Sequence, residues 1–203
     1  MSAPAAPPTR APVFRGGGPA APLFDAESDV AALVYTPDEA PDAILTAFAR
    51  DLGARGFDAV GVIQGRKTAR GRPCGLTLIP EGRELSVTDC GARHAPDWRD
   101  TLGRIEGSLL EAAHRRPDLL ILNRFGAAER AGGGLIAVIC AAVERDVPVL
   151  LPVPAALFPD WLRFTEGLCV RLACSRASLE GWWSSLRPPA TRAPARRFCE
   201  SGK

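Results

Sequence analysis

Apolar residues fall into two recurring patterns between residues 29 and 186. Short continuous runs, VAALVY at 30–35, AVGVIQ at 59–64, LLIL at 119–122 and VLL at 149–151, are what strands covered on both faces require. Between them, apolar positions return every three or four residues. Residues 42–55 carry Ile44, Leu45, Phe48 and Leu52 at helical spacing and are closed by Gly56, where a left-handed cap suits glycine. Trp98, Leu102, Ile105, Leu109 and Ala112 form a stripe that predicts an amphipathic helix over 97–115. Further helices are expected over 135–145, 159–166 and 179–186, with a last strand over 168–172. Residues 75–79 and 84–88 flank Pro80-Glu81-Gly82, a turn composition that predicts a hairpin inserted at a sheet edge. The alternation reads βαβ throughout, so the expected fold is a single three-layer α/β domain with a mostly parallel sheet.

At 203 residues and 46% hydrophobic content the chain can bury one substantial core. Residues 1–28 are rich in Pro, Ala and Gly and poor in large apolar groups, so a flexible lead-in is expected there, and the Pro/Arg-rich residues 187–203 read the same way. This leaves 29–186 as the domain. The formal charge is +2, but Arg187, Arg192, Arg196, Arg197 and Lys203 against Glu200 put +4 in the last 17 residues, while residues 1–28 balance. The domain itself therefore carries −2, which offers no overall basic surface for nucleic acid. No stretch approaches the roughly 18 apolar residues of a membrane helix, and the N-terminus lacks a secretory apolar run, so a cytoplasmic location without membrane insertion is expected. The six cysteines include no C-x-x-C pair and are expected reduced. Cys74, Cys90 and His94 match no zinc spacing, and no metal site is predicted. Trp161, Trp182 and Trp183 read either as core or as a surface for a protein partner.

In an open parallel sheet, ligands bind beyond the carboxyl ends of the strands. Two loops qualify here. The first, residues 36–43, stands where a phosphate loop of the form G-x-x-x-x-G-K-[S/T] would be. Thr36 and Pro41 hold its glycine positions, Asp42 the lysine position and Ala43 the hydroxyl position. Two prolines remove donors, and Asp38, Glu39 and Asp42 bring carboxylates where a phosphate needs cations. This loop is expected to be a degenerate phosphate loop, with Asp38 or Asp42 as a helix N-cap and its acidity repelling an anion. The second loop, residues 123–134, combines Asn123, Arg124, Glu129 and Arg130 with Gly132, Gly133 and Gly134. Its two arginines and glycine amides are candidate anion ligands, and Asn123 and Glu129 are candidates to orient a ligand or a water. A flexible connection is the competing reading. Asn123 is a poorer Mg²⁺ ligand than Asp, and no catalytic residue is assigned.

The segments VAALVY, VGVIQGR, RPCGLTLIPEG, PDLLILNRFGAAERAGGGL and VPVLLPV, in that order, resemble the bacterial domain-of-unknown-function family numbered 2478 over residues 29–186. The most specific stretch is Asn123-Arg124-Phe125-Gly126 with Glu129 and the glycines after it. The chain departs from the family form in carrying Gly75 after Cys74, where an acidic residue is usual, and Trp98-Arg99-Asp100 in place of a Cys-Arg-Leu-Asp element. The resemblance implies a P-loop-NTPase-like fold and an association with molybdate transport. The expected function is a non-hydrolysing, regulatory protein that binds a nucleotide or an oxyanion, with cofactors unknown. The alternative is a divergent nucleotidase or phosphotransferase using the 123–134 loop.

Overall fold

The computed structural model describes residues 28–65, 75–86 and 98–186. The expectations for residues 1–27 and 187–203, for the basic segment 66–72 and for Cys74, Cys90 and His94 lie outside the described residues.

Seven strands build one sheet: Val30–Tyr35 (β1), Ala59–Gln64 (β2), Gly75–Ile79 (β3), Glu84–Ser86 (β4), Leu119–Ile121 (β5), Val149–Pro154 (β6) and Val170–Ala173 (β7). Their order is β4-β3-β2-β5-β6-β1-β7. The five strands from β2 to β7 in that order pair in parallel, and β3 and β4 add an antiparallel edge hairpin on β2. Gly82, at φ +66°, closes the hairpin turn in the left-handed region that glycine tolerates. Helices Pro41–Ala54 (α1) and Arg176–Leu186 (α6) cover one face of the sheet, and Trp98–His114 (α2), Ile136–Val143 (α4) and Phe158–Phe164 (α5) cover the other. A single turn, Ala127–Arg130 (α3), lies between β5 and α4.

Alternation along the strands sorts the core. Ala31 and Leu33 pack with Leu45, Phe48 and Leu52 of α1 and with Leu179, Trp182 and Trp183 of α6. Val30, Ala32 and Val34 pack on the other face with Ile105 and Leu109 of α2, Val138 and Ile139 of α4 and Trp161 of α5. All six residues of β1 are buried, which explains why its sequence is apolar without alternation. Gly61 of β2 faces Ile121 of β5, and a Cβ there would lie 1.8 Å from the Ile121 carbonyl oxygen, so this close strand approach needs glycine.

Several expectations change. β6 runs on to Pro154 instead of ending at residue 151. The Pro152 carbonyl accepts from Phe125 N–H at 3.0 Å, so the donor that proline lacks also points to the side where β5 has already ended. The loop 123–134 contains the helical turn α3. α6 begins at Arg176, three residues early, because Ser175 Oγ accepts from Ser178 N–H at 3.2 Å and caps the first turn. Trp161, Trp182 and Trp183 are all buried, and Trp183 meets Phe48 and Phe57 edge-on, so these residues form core and not a partner surface.

Candidate functional site

β1 and β6 lie side by side, yet the chain leaves them toward opposite faces, through α1 after β1 and α5 after β6. That divergence makes the β1/β6 edge a topological switch point, and its carboxyl end is the usual ligand position of such sheets. The loop after β5 reaches the same edge.

The loop after β1 is tied to itself. Glu39 accepts from Thr36 N–H at 2.7 Å and from the Thr36 hydroxyl at 3.0 Å, while Glu39 N–H donates to the Thr36 carbonyl at 3.1 Å. The helix N-cap is Ala40, with no side-chain cap, and Pro41 occupies the first turn. Neither Asp38 nor Asp42 caps α1, contrary to expectation. Asp42 instead turns to Arg124: the guanidinium donates through Nε to Oδ1 at 3.2 Å and through a terminal nitrogen to Oδ2. A second terminal nitrogen donates to the Tyr35 hydroxyl at 3.1 Å, and the guanidinium lies 4.9 Å from the centre of the Tyr35 ring.

Arg124 thus reaches across the end of β6 and joins the two loops. The pair is mostly covered. Burial alone lowers the Arg124 value, but the Asp42 carboxylate and the Tyr35 hydroxyl hold it above the ordinary arginine range. Burial pushes the Tyr35 hydroxyl up, against the pull of Arg124. Cys174, just past β7, is raised by burial and by the nearby Glu39 and Asp42 carboxylates, with Arg124 acting the other way. Asn123 is 7% exposed, and its Oδ1 has no hydrogen-bond partner among the described residues.

The rest of the 123–134 loop is held separately. Glu129, also 7% exposed, accepts from Gly126 N–H at 2.9 Å and Leu135 N–H at 3.3 Å, which fastens both ends of the loop. Gly134, at φ +61°, leaves room for that carboxylate: a Cβ there would lie 2.1 Å from Glu129 Oε1. The Gly132 and Gly133 amides donate to the Glu129 and Ala128 carbonyls at 3.0 Å each, so they serve the loop itself. Arg130 forms an ion pair with Asp160 of α5 at 2.8 Å. The predicted site residues are therefore divided. Arg124 meets Tyr35 and Asp42 and Asn123 is buried with its Oδ1 unpartnered, whereas Glu129, Arg130 and the glycines belong to the α3–α5 side. Sequence reasoning missed Tyr35, Asp160 and Cys174, and read Asp42 as a source of repulsion where it is a bound partner. The only sequence signal for Tyr35 and Cys174 was their position at strand ends.

Among the described residues, no group of three or more His, Cys, Asp or Glu is placed to hold a metal ion, and no helix is long and apolar enough to cross a membrane.

A model of the family described as "Protein of unknown function (DUF2478)" matches residues 30–182. The chain belongs to that family. It is also 34% identical over 176 residues to the molybdenum import ATP-binding protein ModC 2 of Bradyrhizobium diazoefficiens, a match that covers 82% of this chain and 20% of that protein. The chain thus spans about a fifth of that relative's length. No solved structure matches the chain. The single α/β domain with its mostly parallel sheet is compatible with a P-loop-NTPase-like fold.

Proposed function

We propose that the chain is a non-hydrolysing binding and regulatory module, linked to molybdate metabolism or transport, whose ligand is a nucleotide or an oxyanion taken at the crevice between β1 and β6. The observation that carries this reading is the Arg124–Asp42 pair. At the place where a phosphate loop would offer cations, the one cation that reaches in from the β5 loop holds a carboxylate of the same chain. Asp42 stands where a phosphate loop carries lysine, Pro37 offers no amide, and the Thr36 and Glu39 amides donate within their own turn, so the groups that would stabilise a triphosphate in hydrolysis are replaced. An anion with more charge and more acceptors than a carboxylate can take Arg124 from Asp42, and release of the β1 loop is then the regulatory signal. The link to molybdate rests on the relative named for molybdenum import, which is also named for ATP binding.

The test is a melting-temperature screen with molybdate, tungstate, sulfate, phosphate, ATP and GTP on wild type, Arg124→Ala and Asp42→Asn. A charged hydrogen bond contributes about 1.5–3 kcal/mol, so Arg124→Ala should weaken binding about ten- to a hundredfold. Asp42→Asn removes the internal competitor and should strengthen it. Normal binding by Arg124→Ala, or weaker binding by Asp42→Asn, removes the crevice as the site.

A further inference from the structure

A pocket of about 360 Å³ lies on the α1 face of the sheet, between the flank of α1 and the β3–β4 hairpin. Its lining takes Ala49 and Gly53 from α1, Ile63 from β2 and Ile79 from β3, with Thr46 and Thr77 as polar members. Arg50 is the one charged residue of the lining, and its side chain is 78% exposed. An apolar enclosure of this size with few polar groups suits the neutral body of a small ligand. Gly53 keeps it wide. A Cβ there would meet nothing within 4 Å and the residue has no positive φ, so neither crowding nor backbone geometry requires glycine inside this helix.

Two features tie the pocket to Arg124. Positions 46, 49, 50 and 53 continue at helical spacing from Asp42, so the carboxylate that holds Arg124 heads the stripe that lines the pocket. About 6–10 Å along the helix axis separate Asp42 from Thr46 and Ala49. The second feature is Asn123, which is buried with its Oδ1 unpartnered among the described residues. Leu122 N–H donates to the Leu150 carbonyl and Phe125 N–H to that of Pro152, so the chain after β5 takes three residues where β6 takes two. That bulge falls on Asn123 and Arg124. Continuing the β2–β5 register two residues past Gly61 and Ile121 sets Asn123 beside Ile63 of the pocket lining. A carboxamide there offers an acceptor and donors, the pattern that an adenine edge matches.

We propose that the pocket between α1 and the hairpin takes the base of a nucleoside monophosphate whose phosphate sits at Arg124, with Asn123 bonded to the base edge. The proposal rests on the reading of Arg124 as the anion site, and it selects a nucleotide over a bare oxyanion. One cation beside the acidic Asp38 and Glu39 suits a single phosphate better than a triphosphate. The experiment is isothermal titration of the full chain with AMP, adenosine and inorganic phosphate, on wild type, Gly53→Leu, Thr46→Leu, Asn123→Leu and Arg124→Ala. Residues 46 and 53 are exposed helix positions where leucine is the better helix former, so these two variants should melt at or above wild type while narrowing the pocket. AMP should bind wild type at least tenfold tighter than phosphate or adenosine. Gly53→Leu and Thr46→Leu should each cut the AMP-to-phosphate ratio about tenfold. Asn123→Leu should weaken AMP about tenfold without lowering the melting temperature, because it breaks no bond. Arg124→Ala should weaken AMP and phosphate alike. Phosphate as tight as AMP in wild type, or a ratio kept in both leucine variants, overturns the pocket and leaves the crevice reading standing if Arg124→Ala still loses phosphate. If the leucine variants lose AMP but neither AMP nor phosphate responds to Arg124→Ala, the base half of the proposal stands and the crevice reading fails. An Asn123→Leu variant that melts lower and keeps AMP overturns the base contact. If no ligand binds, both readings fail.

Discussion

Gly134→Ala tests how the 123–134 loop is built. Two effects act at this position. Residue 134 has φ +61°, where a side chain costs about 1–2 kcal/mol. The added Cβ would also stand 2.1 Å from Glu129 Oε1, 2.8 Å from Cδ and 3.1 Å from Ala128 Cβ, so the Glu129 carboxylate must move. Its movement loosens the bonds from Gly126 and Leu135 N–H, each worth about 1.5–3 kcal/mol when charge-assisted, with water recovering a part. The expected loss is about 3–5 kcal/mol, or about 6–20 °C in melting temperature for a domain of this size. Two neighbours provide an internal scale. Gly132→Ala has the positive φ of +78° but open space around its Cβ, so it should lose only about 1–2 kcal/mol. Gly133→Ala has neither problem, its nearest contact being the Ala128 carbonyl oxygen at 3.6 Å, and should stay within about 0.5 kcal/mol. Thermal and urea unfolding of the three variants should rank them 133, 132, 134 in rising cost. In a Glu129→Ala background the excess at 134 over 132 should disappear. If Gly134→Ala costs no more than Gly132→Ala in the parent chain, Glu129 does not organise the loop and the reasoning is wrong.

Three further outcomes are expected. Purified protein should hydrolyse neither ATP nor GTP above a boiled control; turnover that survives repurification and vanishes in Arg124→Ala contradicts this. Cys174 should alkylate faster in Asp42→Asn, which removes a carboxylate that raises its thiol, and slower in Arg124→Ala, which removes the opposing cation; peptide-resolved mass spectrometry reads both, and equal shifts in one direction would count against the described cluster. The α1–α6 contact should weaken in acid. Arg176 donates to Asp51 at 2.7 Å and holds it below the usual aspartate value; at Glu180 burial pulls upward, but Arg176 and Arg55 outweigh it and set the group low. Folded values below unfolded ones give stability that is present above the ordinary carboxylate range and lost as pH falls through the lowered values. An Asp51→Asn/Glu180→Gln variant should therefore show a flatter acid limb than wild type in melting temperature, and an unchanged limb would show that the network contributes nothing.

The strands were legible wherever both faces are buried, because VAALVY and LLI leave no polar position to misread and AVGVIQ has one only at its last residue, Gln64. β6 was read short, since proline usually marks a strand end and only the early end of β5 makes Pro152 and Pro154 acceptable. α3 was hidden because four residues are too few for helical periodicity. The carboxyl edge could be located from the βαβ order alone. The pairings on it could not, because Asp42 and Arg124 are 82 residues apart and meet only through the placement of β1, β6 and β5. Read one loop at a time, an acidic segment repels anions and a basic one attracts them; folded together, the two neutralise each other. Glu129 likewise reads as a ligand group in sequence and becomes a buried acceptor for the loop's own amides.

If Arg124 takes the proposed ligand, its pairing with Asp42 also sets the concentration at which the crevice responds. A carboxylate tethered by its own backbone competes at an effective concentration on the order of millimolar, without ever diffusing away. The apparent dissociation constant of any anion at Arg124 is its intrinsic value divided by the fraction of molecules in which Arg124 is unclaimed. Singly charged ions that match a carboxylate and offer nothing more therefore gain little occupancy at ordinary levels. A ligand with additional charge or contacts crosses the threshold over a narrow range of free-energy advantage. Residue 42 is then a dial on that threshold: asparagine lowers it, and any change that stiffens the Thr36–Glu39 turn behind the carboxylate raises it.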